Sequence, residues 1–161
     1  MSWEEIARKE ELATRGKDAE ACVRQVLEAI MTANPEFDYQ RLPDARSCMG
    51  RIPQQIGDYL YFMQCEDNTK VHGVIEVKQV KTGYRLARSA FPQWPMIKRR
   101  AKTGAKSFVL LFTKETGTWK IAPYSWLVKN EPEKGSWNMA VLPTVSDLHQ
   151  ALITTLANYL R

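Results

Sequence analysis

The chain has little cysteine and little histidine. Its three cysteines, Cys22, Cys48 and Cys65, are odd in number, widely separated and form no CxxC pair. That pattern excludes a disulfide framework and argues against a structural zinc site. The two histidines, His72 and His149, lie too far apart in sequence to suggest a histidine-based metal cluster. No apolar run reaches the length of a membrane span, so no membrane association is expected. The opening stretch "MSWEEIARKEELATRGK" lacks the apolar core of a secretion signal, which leads us to expect an intracellular, cytoplasmic protein. Neither GxGxxG nor GxxxxGK(S/T) occurs, which argues against a doubly wound nucleotide fold.

One long stretch lacks acids altogether. From Lys78 to Lys114 there are ten Lys or Arg and no Asp or Glu, although the whole chain carries a net charge of only +5. Tyr84, Phe91 and Trp94 are interleaved with these charges. Charge of one sign favours a polyanionic partner, nucleic acid first. Lys81, Arg85, Lys98, Arg99, Arg100 and Lys102 are the candidates for phosphate contacts, which position a nucleic acid rather than read it. Phe91 and Trp94 fit a core or interface better than base stacking.

The 161 residues, 44% hydrophobic and 25% charged, suit one globular domain with a sizeable core. Residues 17–33 carry Ala19, Cys22, Val23, Val26, Leu27, Ile30 and Met31 at helical spacing, ending at Asn34-Pro35. An extended piece over 38–43 precedes a Gly- and Pro-containing loop. "DYLYFMQ" (58–64) and "VHGVIEVKQV" (71–80) read as a hairpin around the polar turn "CEDNTK". The basic connection, 81–106, predicts a short helix near 94–103, although Pro92 and Pro95 disturb it. "SFVLLF" (107–112) is a buried strand by its continuous apolar run, and "TWKIAP" (118–123) pairs with it. Residues 129–138 read as a polar loop, and "TVSD" (144–147) as the capping box of a last helix. Its apolar face carries Leu148, Ala151, Leu152, Thr155, Leu156 and Tyr159. The order implies an α/β architecture with a mixed sheet flanked by helices.

Glu76 and Lys78 stand two apart in a strand that is otherwise β-branched, so they share one face. Asp58 opens the partner strand, so all three can meet at one end of the sheet. Two carboxylates with a nearby backbone carbonyl, that of Val77, suit Mg²⁺, which takes oxygen ligands and keeps several waters. Mn²⁺ takes the same oxygen donors and is expected to substitute. A lysine beside such a site can orient or help deprotonate an attacking water, and the metal polarises a phosphate. These are the parts needed to hydrolyse a phosphodiester.

Asp58, eighteen positions before Glu76, with "IEVK" resembles the D…ExK core of the PD-(D/E)xK nuclease superfamily. "RGKDAEACVRQVLEAI" resembles the first helix of Hjc and RecU-like Holliday junction resolvases. There a glutamate joins the metal site, and the corresponding residue here is Glu20. "RLPDARSCMGRIPQQIGDYLYF" resembles the segment before their metal aspartate, which implies DNA-backbone contacts for Arg41, Arg46, Ser47 and Arg51. Gln93 is similar to a downstream glutamine of the RecU-like branch. "GAKSFVLLFTKETGTWKIAP" resembles the last two strands of their sheet. Asp44, in the literal "PD", competes with Asp58. It precedes Glu76 by 32 positions and a loop, whereas Asp58 starts the pairing strand, so Asp58 is preferred.

The resemblance covers about residues 14–125 of one nuclease domain and leaves 126–161 as an extension. It implies a restriction-endonuclease-like core. It also implies a metal-dependent, structure-selective endodeoxyribonuclease that resolves four-way DNA junctions as a homodimer. Asp58, Glu76, Lys78 and Glu20 are then catalytic, and Asp58, Glu76, Val77 and Glu20 hold the metal. Such an enzyme suits a phage or a cellular recombination system equally. The alternatives are a restriction-like or repair endonuclease of the same fold, or a catalytically silent DNA-binding subunit.

Overall fold

A computed structural model of the chain describes residues 19–43, 49 and 55–159. Helix α1 (Ala19–Ala33) buries Ala19, Val23, Leu27 and Ile30, the stripe its periodicity predicts. It stops where Asn34 turns the chain: Asn34 Oδ1 accepts from the amide of Glu36 at 3.0 Å, and Pro35 cannot continue the helix. Strand β1 (Phe37–Arg41) follows.

Strands β2 (Tyr59–Gln64) and β3 (Lys70–Val80) form the expected antiparallel hairpin. β3 also pairs in parallel with β5 (Phe108–Thr113), and β5 pairs antiparallel with β6 (Thr118–Pro123). The result is a five-stranded mixed sheet in the order β1-β2-β3-β5-β6. A parallel neighbour requires a crossover. The basic segment provides it, through β4 (Arg85–Ala87), a 3₁₀ turn (Arg88–Ala90) and helix α2 (Trp94–Ala101). Pro95 sits in the first turn of α2, where a missing N–H is harmless, so the prolines do not break the helix.

Successive residues of each strand face opposite sides. One side packs Tyr59, Tyr61, Ile75, Phe108, Leu110 and Phe112 under α1 and the last helix, α4 (Leu148–Asn158). The other packs Val74, Val109, Leu111 and Ala122 against Phe91, Trp94, Ile97, Leu127, Trp137 and Met139. This is the expected α/β core, a central mixed sheet flanked by helices. Among the described residues no helix is long and apolar enough to cross a membrane.

Sequence reasoning missed several short elements, β4 among them. Helix α3 (Tyr124–Lys129) follows β6 directly, and β7 (Ser136–Asn138) pairs with β4 where a polar loop is predicted. Three-residue strands are too short to show a period. The last helix is capped by Asp147, whose side chain accepts from the amide of Gln150, so the capping box at Thr144 is a misplacement. The extension is built into both cores: Leu127, Trp137 and Met139 enter one, and Leu148, Leu152 and Leu156 the other. Lys120 anchors it. This lysine is 2% exposed, lies over the Tyr84 ring and donates to Thr144 Oγ1 at 2.8 Å and to the carbonyls of Ala140 and Leu142.

Candidate active site

The β2–β3 ladder ends at Tyr59 opposite Ile75, and the next residue outward is Asp58. Its amide donates to the carbonyl of Ile75 at 3.1 Å, while its Oδ2 accepts from the amide of Val77 at 2.6 Å. The carboxylate thus replaces a ladder partner that β2 no longer supplies, and its orientation is fixed by backbone. Gly57 makes this approach possible. A Cβ there would run into Val74 Cγ1 and stand 3.2 Å from Glu76 Oε2.

Glu76 lies on a central strand and is 2% exposed, which rules out a solvated ion pair at a sheet edge. Its Oε1 meets Lys78 Nζ at 2.9 Å; its Oε2 has no hydrogen-bond partner among the described residues. Burial, and next the Asp58 charge, push its pKa up to about 7, with Lys78 pulling the other way. A buried carboxylate oxygen without a partner is costly, and a water or a cation at that oxygen would relieve the cost. Lys78, 19% exposed, also donates to Gln93 Oε1 at 3.4 Å and lies 5.7 Å from the centre of the Phe91 ring.

These groups fit a hard divalent cation. Asp58 and the open Glu76 Oε2 provide oxygen donors of the right charge, and Mg²⁺ needs only one or two carboxylates beside waters and substrate phosphates. Among the described residues no three His, Cys, Asp or Glu side chains form a metal-sized group. Glu20 stands apart from the pair. It is 37% exposed and ion-paired with Arg41 Nε at 3.0 Å, although its charge is felt at Glu76. Its backbone carbonyl accepts from Tyr59 Oη at 3.1 Å, which ties α1 to the strand beside Asp58.

The predicted DNA contacts divide into groups. Lys81, Arg85, Arg99, Arg100 and Lys102 are exposed. Lys98 is held by Glu131 at 3.1 and 3.2 Å, and Arg41 by Glu20. Gln93 faces Lys78. Arg46, Ser47 and Arg51, with the competing Asp44, lie outside the described residues. Phe91 and Trp94 are core residues, as expected. Sequence reasoning missed Gly57, Glu131 and the contact of Phe91 with Lys78; only Gly57, adjacent to the aspartate, left a signal.

No known family profile matches the chain, and no curated protein does. Among solved structures it is similar to Hjc, a Holliday junction resolvase from the archaeal hyperthermophile Archaeoglobus fulgidus. The two share 18% identity over 81% of this chain and 95% of that one, with a TM-score of 0.47.

Proposed function

We propose that this protein is a metal-dependent, structure-selective endodeoxyribonuclease that resolves four-way DNA junctions by paired phosphodiester hydrolysis, acting as a homodimer. The observation that carries the hydrolytic reading is Glu76: a buried carboxylate with one open oxygen, beside Asp58 and paired with Lys78. The junction as substrate, and the dimer its two symmetric cuts require, rest on the sequence resemblance.

Asp58 and Glu76 would hold the Mg²⁺ or Mn²⁺, with the Val77 carbonyl as a further ligand; Glu20 would join them only by leaving its ion pair with Arg41. A bound Mg²⁺ supplies Lewis acidity toward the scissile phosphate and lowers the pKa of water. The chain's own residues do the rest. Asp58, locked by the Val77 amide, presents a fixed charge without reorganisation. Lys78, held between Glu76 and Gln93, orients the attacking water and offers its ammonium to the phosphate. Lys81, Arg85, Arg99, Arg100 and Lys102 hold the strands through their phosphates.

The test is cleavage of a synthetic four-way junction with and without Mg²⁺, beside a linear duplex. Paired symmetric cuts in the junction alone support the reading; cutting of the duplex alone points to a restriction-like or repair enzyme. Asp58→Ala should abolish cleavage while junction binding in Ca²⁺ survives, and unchanged cleavage would remove Asp58 from the site.

A further inference from the structure

Glu131 lies just after α3, in the extension that the sequence resemblance does not cover, and three side chains converge on it. Trp94 Nε1 donates to its Oε1 at 2.9 Å, Arg88 Nη1 meets the same oxygen at 2.9 Å, and Lys98 Nζ reaches Oε2 at 3.1 Å. One carboxylate therefore holds the chain at both ends of the segment 88–98. Between those ends lie Phe91 and Gln93, which touch the Lys78 ammonium. Trp94, next to Gln93, is 1% exposed, and its ring packs against Phe91, Tyr124 and Trp137. An indole N–H so deeply placed needs a partner, and Glu131 is that partner.

We propose that Glu131 is a positioning residue: it fixes the 88–98 segment so that Gln93 and Phe91 hold the Lys78 ammonium beside Glu76. Its kinetic consequence rests on the nuclease reading above; its structural consequence does not. The same carboxylate neutralises Arg88 and Lys98, two cations of the acid-free stretch that are each about two-fifths exposed. Removing it should therefore move two properties in opposite directions. Turnover falls because Lys78 loses Gln93 and Phe91 as holders and keeps only Glu76, and junction binding tightens because two cations are released toward phosphates. Loss of a purely structural contact would weaken both.

The experiment compares wild type, Glu131→Ala and Glu131→Gln as full chains. It measures kcat on a four-way junction, junction Kd in Ca²⁺ at several salt concentrations, and labelling of individual lysines by a limiting amine-acetylating reagent. Lys120, buried and held by the carbonyls of Ala140 and Leu142, reports any opening of the fold. For Glu131→Ala we expect kcat to fall about tenfold and the salt slope to steepen by up to about two. Lys78 labelling should rise severalfold while Lys120 stays protected. Glu131→Gln keeps a carbonyl for the Trp94 indole, so it should retain kcat within about threefold and still bind more tightly. Unchanged kcat and unchanged Lys78 labelling in Glu131→Ala would overturn the proposal, and so would labelling that rises at Lys78 and Lys120 together. If wild type cut no DNA, the nuclease reading would fall, and Lys78 labelling would still decide the positioning role.

Discussion

Replacing Glu76 with Gln removes a buried charge while keeping the side chain's size. In the folded protein the Glu76 carboxyl titrates at about 7, against an ordinary value of 4.5. The folded state therefore holds this proton more tightly than the unfolded chain. The stability it confers is fully present below pH 4.5 and is lost as pH rises through about 7. At ~1.4 kcal/mol per pKa unit, ionised Glu76 costs the fold about 3 kcal/mol at pH 8. Gln resembles the protonated form at every pH. Glu76→Gln should thus match wild type near pH 4 and exceed it by about 3 kcal/mol at pH 8, as measured by urea unfolding in EDTA. Mg²⁺ should then stabilise wild type at pH 8 and leave Glu76→Gln unmoved, because only the charged site rewards a bound cation. A difference that does not change with pH, or a variant less stable at pH 8, would refute this account of Glu76. The site would then be an ordinary ion pair.

Gly57→Ala should destabilise by about 1–3 kcal/mol, because its Cβ meets Val74 on a central strand. It should also weaken Mn²⁺ binding, since the methyl group crowds Glu76 Oε2; titration of the ion checks this, and full-strength binding would argue against a cation there. Lys120→Met should lower stability by about 1–3 kcal/mol, visible as a reduced Tm, because it strands the carbonyls of Ala140 and Leu142 that the ammonium satisfies. Arg100→Gln should reduce the salt slope of junction binding by about 0.9 with little change in kcat under saturating DNA. An unchanged slope would move the DNA path away from α2.

Much of the fold is legible because its larger elements carry strong periods. The Val23–Leu27–Ile30 stripe, the continuous run of β5 and the Leu148–Leu152–Leu156 face are readable without knowing what they pack against. β4 and β7 are not, since each exists only as the other's partner, 49 to 53 residues away along the chain. The same divide runs through the site. Asp58, Glu76 and Lys78 are legible because a strand's period and a hairpin's register fix which side chains meet. The fate of Glu20 is not. A helical stripe shows that it borders the core, but not that Arg41 of β1 stands opposite and takes its charge. Lys98 reads as one of many free cations until Glu131, 33 residues downstream, is folded back onto it.

The shared cluster under α1 and α4 has a consequence for biosynthesis. The helix made early and the helix made late pack on each other over the same face of the sheet. During translation, the part of that face not covered by α1 stays open until α4 has left the ribosome. Tyr59, in the strand that places Asp58, belongs to this cluster. The nascent chain would therefore carry its candidate cutting residues in an unfinished scaffold, and they would reach working geometry only after synthesis of α4.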